Sequence, residues 1–545
     1  MGVNAAIQNA AITRHPKTYK DYIPYGTAGF RTRSDILDFV MYRMGVLAVL
    51  RSMTTNAAIG VMITASHNPE VDNGVKLVDP AGEMLEMSWE KIATELANVN
   101  DSDIASTLQR IVKEKNINTS KSATVVIGRD TRKSSPSLTN AVLDGATVAK
   151  GQIKDFGIVT TPQLHYLVVC TNTTGGYGIP TVEGYYLKLS KAFKHVRNGQ
   201  RNNGKYIAEI QLDAANGVGA IAMKEFQNHL GDSISVEIFN DGRGELNHKC
   251  GADYVKVQQK NPENVPIKPN ARCVTIDGDA DRALYYYTDE NNKFHLLDGD
   301  RISTLVASYF KELLEESQLN LKLGLVQTAY ANGGSTDYIT NVLKVPVSCV
   351  STGVKYLHHE AKKFDIGVYF EANGHGTVTV NDDAIKIIRE AQNNTSLSSK
   401  ERLGASKLVT VIDIINQTVG DALSDMLLVE TILHAKGWDL ATWESSYKDL
   451  PYKQLQVKVQ DRNIISTTDA ERKCLTPIGL QQEIDNLVLR YNKGRAFVRP
   501  SGTEDVVRIY AEAEVSADTD KLAAEVATAV YRLAGGIGPE LSIST

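Results

Sequence analysis

The sequence predicts an α/β protein that is built from several domains. At 545 residues the chain is too long for a single hydrophobic core, and its length alone suggests roughly three to four domains. Short apolar runs at 59–63 and 125–127 have the composition of strands, whereas 35–56 and 89–113 carry apolar residues at helical spacing. Strands that run into polar loops and then into helices are typical of layered α/β folds.

The composition is that of an ordinary globular protein. Hydrophobic residues make up 42% of the chain and charged residues 23%, and a net charge of −5 gives no basic surplus for nucleic acid. No apolar run reaches the roughly 18 residues that a membrane span requires, and residues 1–20 lack the apolar core of a signal peptide. Five scattered cysteines without a C-x-x-C pair fit reduced thiols. We therefore expect a cytosolic protein with neither nucleic-acid nor membrane partners.

The order of elements along the chain predicts where domains begin and end. Residues 196–205 are polar and rich in glycine and asparagine, as linkers are. A strand, a tight turn at Asp213–Gly219 and a helix then open a second unit, and a third begins near Leu297. A polar insert at 391–403 is expected to be a mobile loop, and apolar spacing near 520–534 predicts a closing helix. The expected domains are 1–195, 196–296, 297–440 and 441–545.

One loop combines a serine, an imidazole and an amine. Ile59–Ile63 is predicted to be a buried strand and Asn68-Pro69 a turn, so Ser66 is expected in an exposed loop beyond a strand end. Ligands of open α/β sheets bind at the carboxyl ends of strands. Most loop serines only cap a turn, but His67 follows directly and Lys76 stands ten residues after the serine. Both side chains can handle protons or bind oxyanions.

A second loop carries three aspartates at alternate positions. Asp277, Asp279 and Asp281 are separated by small residues and would repel one another unless a cation lay among them. Oxygen ligands select hard metals, and Mg²⁺ above all where phosphate is the partner. A solvated acidic turn or a calcium loop is the alternative, although no glutamate stands at the twelfth position that an EF-hand requires. Arg282 follows directly and can pair with phosphate.

Two further loops offer groups for a sugar and for a phosphate. The carboxylate of Glu371 can accept hydrogen bonds from sugar hydroxyls, and the glycines at 374 and 376 leave room for a ring. A turn that closes a hairpin is the alternative for this loop. Arg499 and Arg508 flank two hydroxyl residues and a glycine, which together form a nest for a dianion. The basic loop at 128–132 is either a solvated turn or a functional loop, and the sequence leaves this choice open.

These loops resemble those of the α-D-phosphohexomutases, and the resemblance covers nearly the whole chain. Thr64-Ala65-Ser66-His67-Asn68-Pro69 is similar to the phosphoserine loop of that family. Asp277–Arg282 resembles its metal loop, and Arg499–Asp505 resembles its phosphate-binding loop. Gly26-Thr27-Ala28-Gly29-Phe30-Arg31 matches its N-terminal G-T-x-G-x-R motif. The family implies three mixed-sheet α/β domains and a C-terminal α+β phosphate-binding domain around a central cleft.

The sugar loop narrows the resemblance within the family. Glu371–Gly376 resembles the family's sugar-binding loop, usually G-E-x-S-G or G-E-x-x-G-H. Ala372-Asn373 departs from the serine-containing versions that are typical of glucose, mannose and unacetylated glucosamine enzymes. This departure points to the branch that acts on N-acetylglucosamine phosphates.

The family also implies a role for each matching residue. Ser66 would be carried as a phosphoserine with Arg31 beside it, and a phosphoserine oxygen would join three aspartates in holding one Mg²⁺. The implied metal ligands are Ser66, Asp277, Asp279 and Asp281. The implied catalytic residues are Ser66, His67, Lys76, Arg282 and Arg31. The implied substrate-binding residues are Glu371, Ala372, Asn373, Gly374, His375, Arg499, Pro500, Ser501, Gly502, Thr503 and Arg508.

The implied reaction interconverts N-acetylglucosamine 6-phosphate and N-acetylglucosamine 1-phosphate through a sugar 1,6-bisphosphate, and feeds UDP-N-acetylglucosamine synthesis. The implied partners are small hexosamine phosphates, and a monomer is expected. His67, Lys76 and His375 are candidates for the general base, and the sequence leaves the choice open. A phosphoglucomutase or phosphomannomutase specificity and a catalytically silent sugar-phosphate sensor are alternatives. A haloacid-dehalogenase-type phosphatase would leave Ser66 and His67 without a role.

Overall fold

The structure, a computed structural model, describes residues 2–26, 29–501 and 505–538 and confirms the α/β class that the sequence predicts. Two compact units emerge. The first comprises Met1–Asp298, Asn373–Val378 and Gln392–Ala441. The second comprises Gly299–Ala372, Thr379–Ala391 and Thr442–Thr545.

The first unit contains two mixed sheets with helices packed on them. The strands of one sheet, in the order β1-β3-β2-β4-β5, are β1 (Phe30–Arg33), β2 (Ile59–Ile63), β3 (Asp72–Val78), β4 (Thr124–Arg129) and β5 (Gln152–Ile158). The strands of the other, in the order β10-β9-β8-β6-β7, are β6 (Glu209–Asp213), β7 (Ser235–Phe239), β8 (Cys273–Ile276), β9 (Ala283–Thr288) and β10 (Phe294–Leu297). The helices are α1 (Val3–Arg14), α2 (Asp38–Thr55), α3 (Met87–Asn98), α4 (Ile104–Glu114), α5 (Ser135–Val148), α6 (Thr161–Asn172), α7 (Val182–Arg197), α8 (Val218–Leu230), α9 (Ala252–Gln258), α14 (Ser399–Ile414) and α15 (Ala422–Lys436).

Strand β2 shows why the first sheet is buried on both faces. All five of its residues are buried, so its sequence is a continuous apolar run without alternation. Ile59, Val61 and Ile63 join the core that also contains α2 and α5. Gly60 points the other way, where a Cβ atom would lie 2.7 Å from the side chain of Val168 in α6. The strand is therefore held rigidly up to the residue where the serine loop begins.

The second unit has a four-stranded sheet, a three-stranded sheet and a short hairpin among its described residues. The four-stranded sheet, in the order β12-β11-β13-β14, consists of β11 (Leu323–Thr328), β12 (Val347–Val350), β13 (Ile366–Phe370) and β14 (Gly376–Val380), whose first three residues are counted with the first unit. The other sheet, in the order β15-β19-β18, consists of β15 (Tyr452–Lys458), β18 (Arg495–Pro500) and β19 (Val506–Glu512), and the hairpin is β16 (Ser466–Thr468) with β17 (Lys473–Thr476). The helices are α10 (Gly299–Ser317), α11 (Gly333–Asp337), α12 (Val354–Ala361), α13 (Asp382–Asn393), α16 (Leu440–Glu444), α17 (Leu480–Val488) and α18 (Ser516–Leu533).

Two local predictions can be compared with the structure. The helical spacing over 89–113 is confirmed, but it belongs to two helices, α3 and α4, because the helix is interrupted between Asn98 and Ile104. The polar insert at 391–403 is not a mobile loop: α13 continues to Asn393, and α14 begins after Ser398, which forms a capping box with Glu401. The closing helix near 520–534 is confirmed as α18. Within the described ranges, no helix has the length and apolarity to cross a membrane.

Candidate active site

Ser66 lies in the turn that follows β2. The residue is fully buried, so the expectation of an exposed loop is wrong. Its Oγ donates a hydrogen bond of 2.6 Å to Oδ2 of Asp277, and its backbone nitrogen donates one of 3.0 Å to Oγ1 of Thr64. Its φ of 52° lies in the left-handed region, which is uncommon for a residue with a side chain. Backbone strain at a buried polar residue is typical of functional sites.

A buried arginine holds the serine loop from behind. The terminal nitrogens of Arg132 donate hydrogen bonds of 2.6–3.1 Å to the carbonyl oxygens of Ser66, Asn68, Pro69 and Asp72. Its Nε donates to Oδ2 of Asp130 over 2.9 Å. Arg132 and Asp130 are each 1% exposed, so the interpretation of the basic loop as a solvated turn is wrong. This loop follows β4, the strand beside β2, and fixes the backbone that carries Ser66.

The three aspartates lie in the connection between β8 and β9, which pair as antiparallel neighbours. Ala280 has a φ of 59°, and the loop turns tightly enough for its nitrogen to donate to the carbonyl of Asp277 over 3.1 Å. A Cβ atom on Gly278 would lie 2.7 Å from the carbonyl oxygen of Ser66, so this position has no room for a side chain. Asn247 also donates to that oxygen, over 2.9 Å. The serine loop and the acidic loop are thus in direct contact.

Neighbouring donors hold one carboxylate oxygen of Asp279 and of Asp281. Nζ of Lys76 donates to Oδ2 of both, over 3.0 Å in each case. Oγ1 of Thr161, the first residue of α6, donates to the same oxygen of Asp279 over 2.6 Å. Oδ1 of Asp279 is buried and accepts no hydrogen bond from any described residue. Oδ1 of Asp281 lies 3.3 Å from Nδ1 of His375.

The charges of the cluster are unevenly balanced. Burial, followed by the charges of Asp281 and Asp279, raises the pKa of Asp277 well above its usual range. Burial also acts on Asp279 and Asp281, but the ammonium group of Lys76 leads the contacts that outweigh it and lower the pKa of both carboxyls. Three buried carboxylates therefore share the ammonium group of Lys76 and the more distant guanidinium group of Arg282. A divalent cation would relieve this imbalance.

The residues of the acidic loop fit the Mg²⁺ that the sequence predicts. One oxygen from each of Asp277, Asp279 and Asp281 lies within 4.8 Å of the other two, and all three residues are buried. The donor set consists of oxygens alone, which suits a hard cation. The buried Oδ1 of Asp279, which has no hydrogen-bond partner in the described part of the chain, is an oxygen that could coordinate such a cation.

Further cationic and imidazole groups surround the aspartates. Nε of Arg282 lies 3.7 Å from Oδ2 of Asp277 and 3.6 Å from Oδ1 of Asp281. Burial and then the charge of Arg282 lower the pKa of Arg31, which projects from β1. The charge of Arg282, burial and the charge of Arg31 hold the pKa of His67 well below its usual value. The structure thus brings together the residues that the sequence predicts to be catalytic.

Part of the predicted sugar-binding loop lies against the acidic loop in the first unit. Nδ1 of His375 donates to the carbonyl of Asp281 over 2.7 Å, and the backbone nitrogen of His375 donates to Oδ1 of Asn373 over 3.0 Å. Gly374 has a φ of 89°, and a Cβ atom there would lie 2.3 Å from the carbonyl oxygen of Ala283. Only glycine fits this position. It fixes His375 beside the predicted metal ligands.

The other two residues of that loop, Glu371 and Ala372, belong to the second unit and follow β13 directly. Both are half-buried. The carbonyl of Ala372 accepts a hydrogen bond of 3.4 Å from the nitrogen of Gly299, where α10 begins. The end of β13 thus places Ala372, the residue after Glu371, beside the start of a helix.

The predicted phosphate loop connects β18 to β19 in the second unit. Arg499 in β18 stands directly opposite Arg508 in β19, and Arg508 is exposed. Nη1 of Arg499 donates to both carboxylate oxygens of Glu471, over 3.1 and 3.3 Å. The guanidinium carbon of Arg499 lies 5.6 Å from the ring centroid of Tyr330. Two arginines and a carboxylate therefore meet at this end of the sheet.

The tip of the phosphate loop is only partly described. Pro500 pairs with Val507, and the nitrogen of the buried Ser501 donates to the carbonyl of Val506 over 2.9 Å. Gly502 and Thr503 lie outside the described residues, as do Thr27 and Ala28 of the N-terminal motif.

Comparison with known proteins places this arrangement in a family. Three family models match the chain. "Phosphoacetylglucosamine mutase AMG1, domain III" matches residues 298–438. Two models of the phosphoglucomutase/phosphomannomutase family also match: the C-terminal domain over 455–529, and the alpha/beta/alpha domain I over 38–103 and 101–179. The phosphoacetylglucosamine mutase of Sus scrofa is 54% identical over 533 residues, which are 97% of this chain and 98% of the relative. The chain belongs to the phosphoacetylglucosamine mutase family.

Solved structures of the same family agree with this fold. The Aspergillus fumigatus N-acetylphosphoglucosamine mutase in complex with GlcNAc-6P and magnesium is 48% identical, with a TM-score of 0.92. The match covers 98% of this chain and 99% of that one. A variant of the same enzyme in complex with glucose 1,6-bisphosphate matches with the same identity, coverage and TM-score. The phosphohexomutase fold that the loops imply is therefore confirmed.

Sequence reasoning missed three residues of the site in this member of the phosphoacetylglucosamine mutase family. Arg132 follows β4, the parallel neighbour of β2, and Thr161 begins α6 beyond β5, the parallel neighbour of β4. Because the ends of parallel strands meet at one edge of a sheet, their position was a usable signal. Asn247 lies in an irregular segment between β7 and α9, and no pattern in the sequence indicates its contact with Ser66.

Proposed function

We propose that the chain interconverts N-acetylglucosamine 6-phosphate and N-acetylglucosamine 1-phosphate through a phosphoserine at Ser66. The observation that carries this proposal is the buried Ser66 hydroxyl, which donates to a carboxylate of a triad that fits Mg²⁺. Membership of the phosphoacetylglucosamine mutase family, at 54% identity over nearly the full length, supports the substrate class.

The reaction consists of two phosphoryl transfers that mirror each other. The phosphoserine gives its phosphoryl group to the free hydroxyl oxygen of the sugar phosphate. The bond from phosphorus to the sugar oxygen forms as the bond to Ser66 Oγ breaks, and the hydroxyl proton passes to a general base. The resulting 1,6-bisphosphate turns round and returns its other phosphoryl group to Ser66. The complex of the Aspergillus enzyme with glucose 1,6-bisphosphate supports such an intermediate.

Cationic groups of this chain offset the charge of the transferring phosphoryl group. Arg282 borders the aspartates, Arg31 lies nearby, and guanidinium groups suit the geometry of phosphate oxygens. Asp277, Asp279 and Asp281, with a phosphoserine oxygen at Ser66, would hold Mg²⁺. When bound, the ion neutralises charge on the phosphoryl oxygens. The magnesium of the Aspergillus complex supports this choice of metal.

The contacts of the three candidate bases favour a histidine over Lys76. Lys76 donates to two aspartates, which is a role for an ammonium ion. His375 uses Nδ1 to donate to the carbonyl of Asp281, which leaves Nε2 to accept a proton. Nδ1 of His67 is buried and has no hydrogen-bond partner within the described ranges. The general base can be identified from the pH–rate profiles of glutamine variants of each histidine. The variant that lacks the base should lose one limb of the bell-shaped profile.

The remaining loops bind the parts of the substrate that do not react. The sugar would be bound by Glu371, Ala372, Asn373, Gly374 and His375. The non-reacting phosphate would be anchored by Arg499, Pro500, Ser501, Gly502, Thr503 and Arg508. The carboxylate of Glu371 accepts hydrogen bonds from sugar hydroxyls, and the amide of Asn373 can pair with the acetamido group. Two guanidinium groups give the anchor its charge.

We extend the proposal to organisation and context. Domains 1–195, 196–296, 297–440 and 441–545 would each carry one of these loops, and the family matches at 298–438 and 455–529 support two of the divisions. The chain would act as a monomer in the cytosol, where its product would supply UDP-N-acetylglucosamine synthesis.

An assay on four sugar phosphates tests the proposal. The full chain with Mg²⁺ is compared on the 6-phosphates of N-acetylglucosamine, glucosamine, glucose and mannose. We expect the highest kcat/KM for N-acetylglucosamine 6-phosphate, because a buried polar pocket penalises a substrate that leaves it unpaired. An equal kcat/KM for glucose 6-phosphate or mannose 6-phosphate would contradict the proposal and favour a phosphoglucomutase or phosphomannomutase specificity. If none of the four sugar phosphates is turned over, the result would favour a catalytically silent sugar-phosphate sensor.

A further inference from the structure

The hairpin turn between β16 and β17 is strained. Asp469, Ala470 and Glu471 follow one another with φ values of 52°, 54° and 68°, and none of them is glycine. The left-handed region is unfavourable for residues with a side chain, and such strain persists where the surroundings impose it. Three consecutive residues of this kind indicate that contacts with the surroundings hold the turn in this position despite the backbone strain.

The turn delivers the carboxylate of Glu471 to the proposed phosphate anchor. Both oxygens of Glu471 accept from Nη1 of Arg499, over 3.1 and 3.3 Å. Oε2 also accepts from the backbone nitrogen and the hydroxyl of Thr352, over 2.9 and 2.5 Å. The Glu471 side chain is 18% exposed and that of Arg499 is 14% exposed. The carboxylate is therefore fixed in a partly buried position.

The anchor has more positive charge than Glu471 can offset. Arg499 and Arg508 stand directly opposite each other on neighbouring strands, an arrangement that is unfavourable for like charges. Glu471 engages Nη1 of Arg499, whereas the buried Nε has no hydrogen-bond partner among the described residues. A dianion could bind both arginines, but it would lie close to the carboxylate of Glu471.

We propose that Glu471 acts as a competing anion, which weakens the grip of Arg499 on phosphate so that the anchor releases its ligand in every turnover. This inference rests on the proposed role of Arg499 as phosphate anchor. The anchor must bind the phosphate on either end of the sugar, because the bisphosphate turns round between the two transfers. An anchor without a competing carboxylate would hold the first phosphate too long.

Binding of inorganic phosphate to the full chain tests the inference directly. Glu471→Gln removes the charge but keeps an oxygen that can accept from Thr352. Asp469→Asn is the matched control. It removes a carboxylate from the same turn, but that carboxylate pairs with Arg472 on the surface. Arg499→Ala and the double variant Arg499→Ala/Glu471→Gln show whether an effect acts through the anchor. Dissociation constants are measured by calorimetry, and KM and kcat by the mutase assay.

We expect Glu471→Gln to bind phosphate about five- to tenfold more tightly, with KM for the sugar phosphate and kcat both lowered. Asp469→Asn should match the unsubstituted chain, and Glu471→Gln should have no effect once Arg499 is alanine. Unchanged or weaker phosphate binding in Glu471→Gln would overturn the inference, because a carboxylate that only positions Arg499 gives that result. If Arg499→Ala itself leaves phosphate binding unchanged, the anchor assignment fails, and the inference fails with it.

Discussion

The two regions that we propose to handle phosphate differ in how their charged groups are held. Around Ser66 the three aspartates are at most 3% exposed, and the serine backbone is held by the buried Arg132. In the second unit Arg508 is exposed, and Arg499 is held by a single partly buried carboxylate. One region is enclosed and closely bonded, and the other combines a partly buried arginine with an exposed one at the end of a small sheet.

This difference matches the tasks that we propose for the two regions. Phosphoryl transfer gains from groups that are fixed before the reaction, because oriented charges then stabilise the transition state without reorganising. An anchor that must accept and release phosphate gains nothing from such rigidity. The enclosed region should therefore respond sharply to small changes in its buried side chains, and the exposed region should respond moderately.

Loss of the metal should produce the largest effect. EDTA should abolish activity and Mg²⁺ should restore it, because the aspartate cluster would lose the cation that balances it. Asp279→Asn keeps the shape of the side chain and removes one ligand charge, so we expect activity to fall by about 100-fold or more. Glu290→Gln, at an exposed residue in the turn between β9 and β10, is the control and should retain full activity. Full activity after thorough chelation would contradict the metal assignment.

Removal of the arginine behind the serine loop should affect both stability and turnover. Arg132→Ala removes a donor from four loop carbonyls and leaves the buried carboxylate of Asp130 without its cationic partner, which costs roughly 3–5 kcal/mol of folding free energy. Lys133→Ala, at the exposed neighbouring residue, should cost almost nothing. Thermal unfolding and the mutase assay measure both effects. Equal unfolding temperatures for the two variants would show that the loop does not depend on Arg132.

A change at Thr161 should weaken metal binding without affecting the fold. Thr161→Val removes the hydroxyl that holds one oxygen of Asp279, and loss of such an orienting contact typically lowers metal affinity by about 10- to 100-fold. Thr410→Val is the matched control, because that buried hydroxyl donates to the carbonyl of Ser406 within its own helix. Titration of each full-length variant with Mg²⁺ by calorimetry gives the affinity. The same dissociation constant in both variants would refute an orienting role.

The exposed anchor should show the smallest of these effects. Arg508→Ala should lower kcat/KM by about one decade, since a charge-assisted hydrogen bond is worth about 1.5 kcal/mol or more and solvent reduces it here. The effect should appear mainly in KM, because the anchored phosphate does not change during the chemical step. Arg490→Ala removes an exposed arginine of the same unit as a control. A loss confined to kcat would contradict the anchoring role.

The sequence predicted the groups of this site that lie within one loop. Asp277, Asp279 and Asp281 could be found because alternate carboxylates separated by small residues already limit the possible chemistry. The residues that hold these groups could not be found in the same way. Arg132 is 66 residues from the carbonyl of Ser66, and Thr161 is 118 residues from Asp279. Only the folded sheet brings them together.

Two errors have the same origin in local reasoning. The sequence predicts an exposed Ser66 because this residue follows a strand end, yet Gly278 of a distant loop covers its carbonyl oxygen. The polar composition of 391–403 predicts a mobile loop, yet Ser398 and Glu401 cap a helix there. A search for the capping box alone would have corrected the error at 391–403. The error at Ser66 could be corrected only with knowledge of how the second sheet of the unit packs against the serine loop.

The phosphorylation state of Ser66 tests the proposed chemistry most directly. The full chain, incubated with glucose 1,6-bisphosphate and Mg²⁺ and then digested, should yield a Ser66 peptide that carries one phosphate by mass spectrometry. That phosphate should disappear when the enzyme is mixed with excess N-acetylglucosamine 6-phosphate, and Ser66→Ala should show neither the phosphate nor turnover. An active enzyme whose Ser66 peptide is never phosphorylated, or a Ser66→Ala variant with near-normal turnover, would contradict the phosphoserine mechanism.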